Sequence, residues 1–130
     1  MAGESDAVTT ARQVVAGHLR PGEQVRHVLM ADVRTRQPPA QRFFGTRPRP
    51  RSGVVVTDRR LLVLRPGAKP GREDWLDLQL QRDRVAAEDP EMRGGALVVA
   101  LSTGLGPRLL LLDPSAEAEA LRVVDLLRSR

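Results

Sequence analysis

Two short apolar runs on either side of a polar turn, at residues 54–64 (Val-Val-Val-Thr-Asp-Arg-Arg-Leu-Leu-Val-Leu), constrain the fold of this chain more than any other feature. Such runs predict a tight β-hairpin within a small sheet. Asp58 suits the turn because its carboxylate can accept a hydrogen bond from a nearby backbone amide. The hairpin indicates a fold, but it does not point to any chemical reaction.

Further strands are predicted on both sides of this hairpin. Residues 24–33 form a predicted strand. Residues 76–81 alternate strictly between leucine and polar side chains, which is typical of a strand with one solvent-exposed face. Residues 84–88 are predicted as a short strand. Residues 96–102 and 108–112 form a second predicted hairpin around a glycine-punctuated turn.

One helix is predicted at each end of the chain. Residues 7–19 carry apolar side chains at helical spacing, with Asp6 as N-cap. After Asp113, a predicted N-cap, Pro114 opens a second amphipathic helix that runs to the C-terminus. The sequence therefore predicts a mainly β fold of about seven strands, a partly open antiparallel barrel or roll whose open end is covered by the C-terminal helix.

The size and composition of the chain predict a soluble, cytoplasmic protein. A length of 130 residues suits one compact unit, and we divide it into an N-terminal helical segment (1–20) and a β domain (21–130). The absence of cysteine excludes a disulfide framework and fits a reducing compartment. No apolar run approaches the ~20 residues of a membrane-spanning helix.

The positive charge is concentrated in one long loop, residues 34–52. No acidic residue lies between Asp32 and Asp58, whereas the rest of the chain is close to neutral. Prolines interrupt the loop, and a loop of this length is usually functional or disordered. Its charge predicts an anionic partner or surface. The basic residues of this loop are Arg34, Arg36, Arg42, Arg47, Arg49 and Arg51.

Residues 19–23 (Leu-Arg-Pro-Gly-Glu) and 55–64 resemble the bacterial pleckstrin-homology-like (PH-like) domains, and the turn is also similar to that of GRAM domains. In that family a Thr-Asp-Arg-Arg-Leu turn joins two apolar strands, and a later hairpin and a C-terminal amphipathic helix follow. The resemblance covers roughly residues 20–128. It implies a seven-stranded, partly open barrel that binds or scaffolds, without catalysis, and it transfers no ligand residue to this chain.

Three kinds of partner remain open for the basic loop, namely an anionic membrane, an acidic protein and nucleic acid. Phe43 and Phe44, flanked by arginines, suit an anchor at an anionic membrane, or else they pin the loop to the barrel. Arg59 and Arg60 in the hairpin turn are either a partner contact or solvated turn residues. Nucleic acid is disfavoured, because single-strand binders use aromatic platforms that these strands lack.

The sequence offers no catalytic, cofactor or metal site. His18 and His27 are too isolated for a metal centre, and no phosphate loop, dinucleotide fingerprint or nucleophile motif is present. The leading hypothesis is a non-catalytic domain that mediates protein–protein contact or assembly, with self-association through an open strand edge as one form. The alternatives are a peripheral membrane adaptor and a nucleic-acid binder, both using the basic loop.

Overall fold

The computed structural model describes residues 6–35 and 48–129. Within these residues it contains two α-helices and eight strands. They are α1 (Asp6–Ala16), β1 (Val25–Arg34), β2 (Ser52–Thr57), β3 (Arg60–Leu64), β4 (Leu76–Gln81), β5 (Val85–Ala87), β6 (Glu91–Arg93), β7 (Ala96–Thr103), β8 (Arg108–Leu112) and α2 (Glu117–Arg128).

All the strands pair antiparallel in a sheet of order β4-β3-β2-β1-β8-β7-β5, with β6 added on β7. Strands β4 and β5 stand at the two ends of this order. Within the described residues they do not pair with each other, so the sheet is open. The predicted fold class, a partly open antiparallel roll with a helix at each end, is confirmed. The eighth strand is β6, whose polar sequence Glu-Met-Arg gives no hydrophobic signal.

Both predicted hairpins are confirmed. In the first, Val54 lies opposite Val63 and Val56 opposite Leu61. The Thr57 hydroxyl accepts from the amides of Arg59 and Arg60, at 3.0 and 2.8 Å, and so closes the turn.

The C-terminal helix covers the inner face of the sheet. A short 3₁₀ turn, Pro114–Ala116, precedes α2, and its N-cap is Asp113, whose carboxylate accepts from the Ser115 amide at 2.9 Å. Val123 and Leu127 lie in the main core with residues of β1, β2, β7 and β8. At the other end of α2 the Arg82 side chain donates to the Leu126 carbonyl, with Nε at 2.9 Å. This bond satisfies a carbonyl that the helix leaves free.

The N-terminal helix covers the outer face of β1 and β2. Val14 and Val15 pack with Val55, Leu62 and Trp75 in a second core. Since adjacent residues of β2 and β3 point into opposite cores, both strands are buried on both faces, which explains their uninterrupted apolar runs.

Helix α1 ends at Ala16, earlier than the predicted end at residue 19. The chain then turns, and the His18 ring stacks on Trp75 with ring centroids 4.2 Å apart. Trp75 is buried in the second core, so this contact packs the turn after α1 against that core.

Candidate functional site

Half of the candidate site residues of the basic loop and the turn lie within the part of the chain that the structure describes. Arg34, Arg49, Arg51, Arg59 and Arg60 are placed. The other candidates lie outside the described residues; they are Arg36, Arg42, Phe43, Phe44 and Arg47.

Arg60 is an interior residue and cannot be the partner contact that its place beside a turn suggested. It is the first residue of β3 and only 5% exposed. Its guanidinium holds the Glu23 carboxylate with two bonds, Nε to Oε2 at 2.8 Å and Nη2 to Oε1 at 2.5 Å. It also donates to Gln79 Oε1 at 3.0 Å and to the His18 carbonyl at 3.2 Å. Its charge is therefore neutralised inside the fold.

Glu23 is equally enclosed, with its side chain 0% exposed. It accepts from the Thr57 hydroxyl at 2.7 Å and from the Arg20 amide at 2.9 Å. The hydrogen bond from Arg60 is the main reason why the pKa of Glu23 falls from 4.5 to about 2, against the opposing effect of burial. The same bond raises the pKa of Arg60. The pair is thus charged on both sides at neutral pH.

A turn delivers Glu23 to this position. The Glu23 amide donates to the Arg20 carbonyl at 2.9 Å, and Gly22 has φ of +79°, a combination typical of a type II turn with proline at its second position. Beside it, Asp58 accepts from the Gln24 amide at 3.0 Å and donates its own amide to the Gln24 carbonyl at 3.0 Å. The two segments that carry the family resemblance therefore bind each other. Their role is structural.

The described ends of the basic loop meet at Asp32. Arg34 Nη2 donates to Asp32 Oδ2 at 3.0 Å, and the Arg49 amide donates to the same oxygen at 3.1 Å. Arg34 thus has an internal counter-charge. Arg59 differs, because it is exposed at the hairpin turn.

A groove of about 380 Å³ lies between α1 and the loop that joins β3 to β4. One wall is formed by α1, the floor by Met30, Gly53 and Leu64, and the other wall by the loop. The side chains of the helix wall are small. The residues that line the groove are Ala7, Thr10, Ala11, Met30, Pro50, Arg51, Gly53, Leu64, Arg65, Pro66, Gly67, Ala68 and Lys69.

The close approach of α1 to the groove floor depends on Gly53. A Cβ at this position would lie 3.1 Å from the Ala11 Cβ, which is tighter than ordinary van der Waals contact. A side chain at residue 53 would require α1 or its neighbours to shift by a few tenths of an ångström, so Gly53 permits the close approach of the helix to β2.

Every charged residue that lines the groove is a cation: Arg51, Arg65 and Lys69. Arg65 is partly engaged, since its Nε donates to the Leu76 carbonyl at 3.4 Å. Within residues 6–35 and 48–129, the side chains of Arg51 and Lys69 have no hydrogen-bond or ion-pair partner, and both residues are exposed. The groove thus offers an apolar floor beneath unneutralised positive charge.

Of the groove cations, the sequence pointed only to Arg51. Arg65 and Lys69 lie in the separate loop that follows β3, whose Pro-Gly pairs mark turns. The pairing of β2 with β3, in which Val54 lies opposite Val63, brings the start of this loop beside Arg51. The usable signal was therefore the predicted hairpin itself.

The described residues contain no group of three or more histidine and acidic side chains that could hold a metal ion. No helix among them is long and apolar enough to cross a membrane. No protein-family model matches the chain, no curated protein matches it, and no solved structure matches it.

Proposed function

We propose that this chain is a non-catalytic, PH-like binding domain whose groove takes an acidic, amphipathic segment of another protein. The observation that carries the proposal is the groove itself, where Arg51, Arg65 and Lys69 stand over apolar side chains and no acidic residue of the described ranges 6–35 and 48–129 lines the site. Carboxylates of a ligand would pair with these cations. An apolar side chain located between those carboxylates would be buried against the apolar floor of the groove. The cytoplasmic location expected from the composition belongs to this proposal.

The fold supports a PH-like assignment. The strand order and the helix that follows the last strand agree with the open, helix-covered roll which the resemblance implies. Apart from the exposed Arg59, the polar residues of the motif are engaged within the fold, which favours recognition of a ligand elsewhere on the surface. The groove fits because its volume is in the range of ligand sites, roughly 300–1,000 Å³.

The shape of the groove favours a peptide over a membrane surface. A peripheral anchor needs apolar side chains that protrude among cations, whereas here the apolar atoms are recessed. The large apolar side chains that are exposed among the described residues are Met92, Leu105 and Leu121, and none of them lines the groove. None of the described aromatic residues lines it, so the described part of the groove has no stacking platform for nucleic-acid bases.

The test is a selection of random peptides on the immobilised protein, followed by affinity measurements at two salt concentrations. We expect the selected peptides to combine acidic residues with one or two large apolar residues. The double variant Arg51→Ser/Lys69→Ser should bind them about tenfold more weakly, a loss of about 1.4 kcal/mol. The matched control is Arg84→Ser/Arg122→Ser, which removes the same charge from exposed positions outside the groove and should leave affinity unchanged.

Four results would contradict the proposal. The first is a selection without acidic preference, and the second is an equal loss of affinity in both double variants. The third is strong, salt-sensitive sedimentation with anionic liposomes that Arg51→Ser/Lys69→Ser abolishes, because it would assign the site to a membrane. The fourth is retardation of single- or double-stranded DNA in a gel, which would point to the third class of partner.

A further inference from the structure

Strand β4 (Leu76–Gln81) ends the sheet, and its outer edge has no partner strand among the described residues. Asp77, Gln79 and Gln81 are exposed. The Gln79 side chain is turned toward β3, where its Oε1 accepts from Arg60 at 3.0 Å, so it does not cover the edge. The backbone of β4 is accordingly open to another strand.

The hydrogen-bond pattern shows which backbone groups are available. The Arg82 amide donates to the Arg59 carbonyl at 3.0 Å, and the same register places Leu80 opposite Leu61. Alternate residues of an antiparallel strand direct their amide and carbonyl groups to opposite sides. Arg82 and Leu80 therefore face β3, whereas Gln79 and Gln81 present their amides and carbonyls outward.

The opposite end of the sheet is protected. Strand β5 has three residues, and Arg128 of α2 donates from Nε to the Ala87 carbonyl at 3.2 Å. The guanidinium is held there by Asp89, 2.7 Å from Nη1. A short strand covered by a charged side chain is a common protection against edge pairing. Strand β4 has no such cover among the described residues.

We propose that a second copy of this chain pairs with β4 edge to edge, antiparallel, about a twofold axis at Gln79. In this register Leu78 lies opposite Leu80 of the second copy, and Asp77 lies opposite its Gln81. Gln79 lies opposite itself, so no like charges face each other directly. The sequence of β4 is therefore complementary to itself in this register.

Pairing would satisfy the outward amides and carbonyls and would cover Leu78, which is only half-buried in the single chain. The surface involved is one short strand on each side. It is smaller than a permanent interface, and the dimer should be transient and concentration-dependent. The β4 edge and the groove use different residues, so each proposal can fail without the other.

Because the chain has no cysteine, a single introduced thiol reports the register. In the proposed dimer the Cα atoms of Gln79 and its symmetry mate lie about 5.5 Å apart, within disulfide range. The Cα atoms of the two copies of Gln81 lie about 14 Å apart, outside that range. With oxidised glutathione, Gln79→Cys should yield covalent dimer at least tenfold faster than Gln81→Cys.

A proline variant tests the backbone contacts. Gln81 has φ of −65°, the value that proline imposes, so Gln81→Pro keeps the conformation and removes one outward amide. In sedimentation velocity, the parent chain should shift from monomer toward dimer as its concentration rises, and Gln81→Pro should remain monomeric at an unchanged Tm. Added to Gln79→Cys, it should abolish the rapid cross-linking.

Three outcomes would overturn the proposal. They are a monomeric parent chain at every concentration together with slow cross-linking of Gln79→Cys, equal cross-linking of the two cysteine variants, and rapid cross-linking that persists with Gln81→Pro. If Gln81→Pro does not fold, the relative cross-linking rates of Gln79→Cys and Gln81→Cys still test the proposed pairing.

Discussion

Arg60 and Arg51 carry the same charge in opposite settings. The guanidinium of Arg60 is enclosed beside Glu23, whereas Arg51 is exposed at the edge of an apolar groove, with no counter-charge from the described residues. The first charge serves the stability of the fold, and the second is available to a ligand. A basic residue thus indicates a binding site only when the fold leaves its charge unneutralised, and the following predictions test this distinction.

The largest effect is expected from Arg60→Ala. The substitution leaves the Glu23 carboxylate buried without its cation, which typically costs about 3–5 kcal/mol of unfolding free energy. The matched control is Arg59→Ala in the same turn, which should change stability by no more than about 0.5 kcal/mol because Arg59 is exposed. Denaturant unfolding of both variants provides the measurement. Equal losses would show that the two arginines have the same role.

The second prediction concerns acid. The pKa of Glu23 in the folded chain lies below its unfolded value, so the pair contributes fully above pH 4.5 and its contribution is lost as the pH falls toward about 2. The parent chain should therefore lose about 3 kcal/mol relative to Glu23→Gln over this range. Both chains contain the other acidic groups, such as Asp113. The contributions of those groups to the pH dependence of stability therefore cancel in the comparison with Glu23→Gln. A constant difference between the two unfolding free energies would contradict the assignment.

The smallest effect on stability is expected at the groove. Without ligand, Arg51→Ser and Lys69→Ser should each change the free energy of unfolding by no more than about 0.5 kcal/mol, because both residues are exposed and unpaired within the described chain. Thermal unfolding with and without a selected peptide measures this. A large loss without ligand would mean that these side chains stabilise the fold, and the contrast with Arg60 would disappear.

Most of the fold could be predicted from local pattern. The alternation in residues 76–81, the two hairpins and the cap at Asp113 each depend on a few neighbouring residues, and all are confirmed. The strand β6 was missed because it is short and polar, and it exists only through its pairing with β7. Helix α1 ends at Ala16, before the predicted residue 19, and the His18 ring beyond that end stacks on Trp75, a residue far away in the chain.

The site was less predictable, because its charges depend on contacts between distant residues. Arg59 and Arg60 are equivalent in sequence, and the difference arises from Glu23, a residue of another turn. The alternative, that both arginines are solvated turn residues, was also wrong for Arg60, because Arg60 is buried. The groove lies between α1, the sheet and the loop after β3, so its walls come from segments distant in the chain.

The bond from Arg60 to the His18 carbonyl has a consequence for the helix wall of the groove. It fixes the chain just after α1 to the same side chain that holds Glu23 and Gln79. Swinging the helix outward would break this hydrogen bond, so the bond helps to hold the wall in place. A partner would then bind a preorganised surface, with little of its binding energy consumed in ordering the receptor.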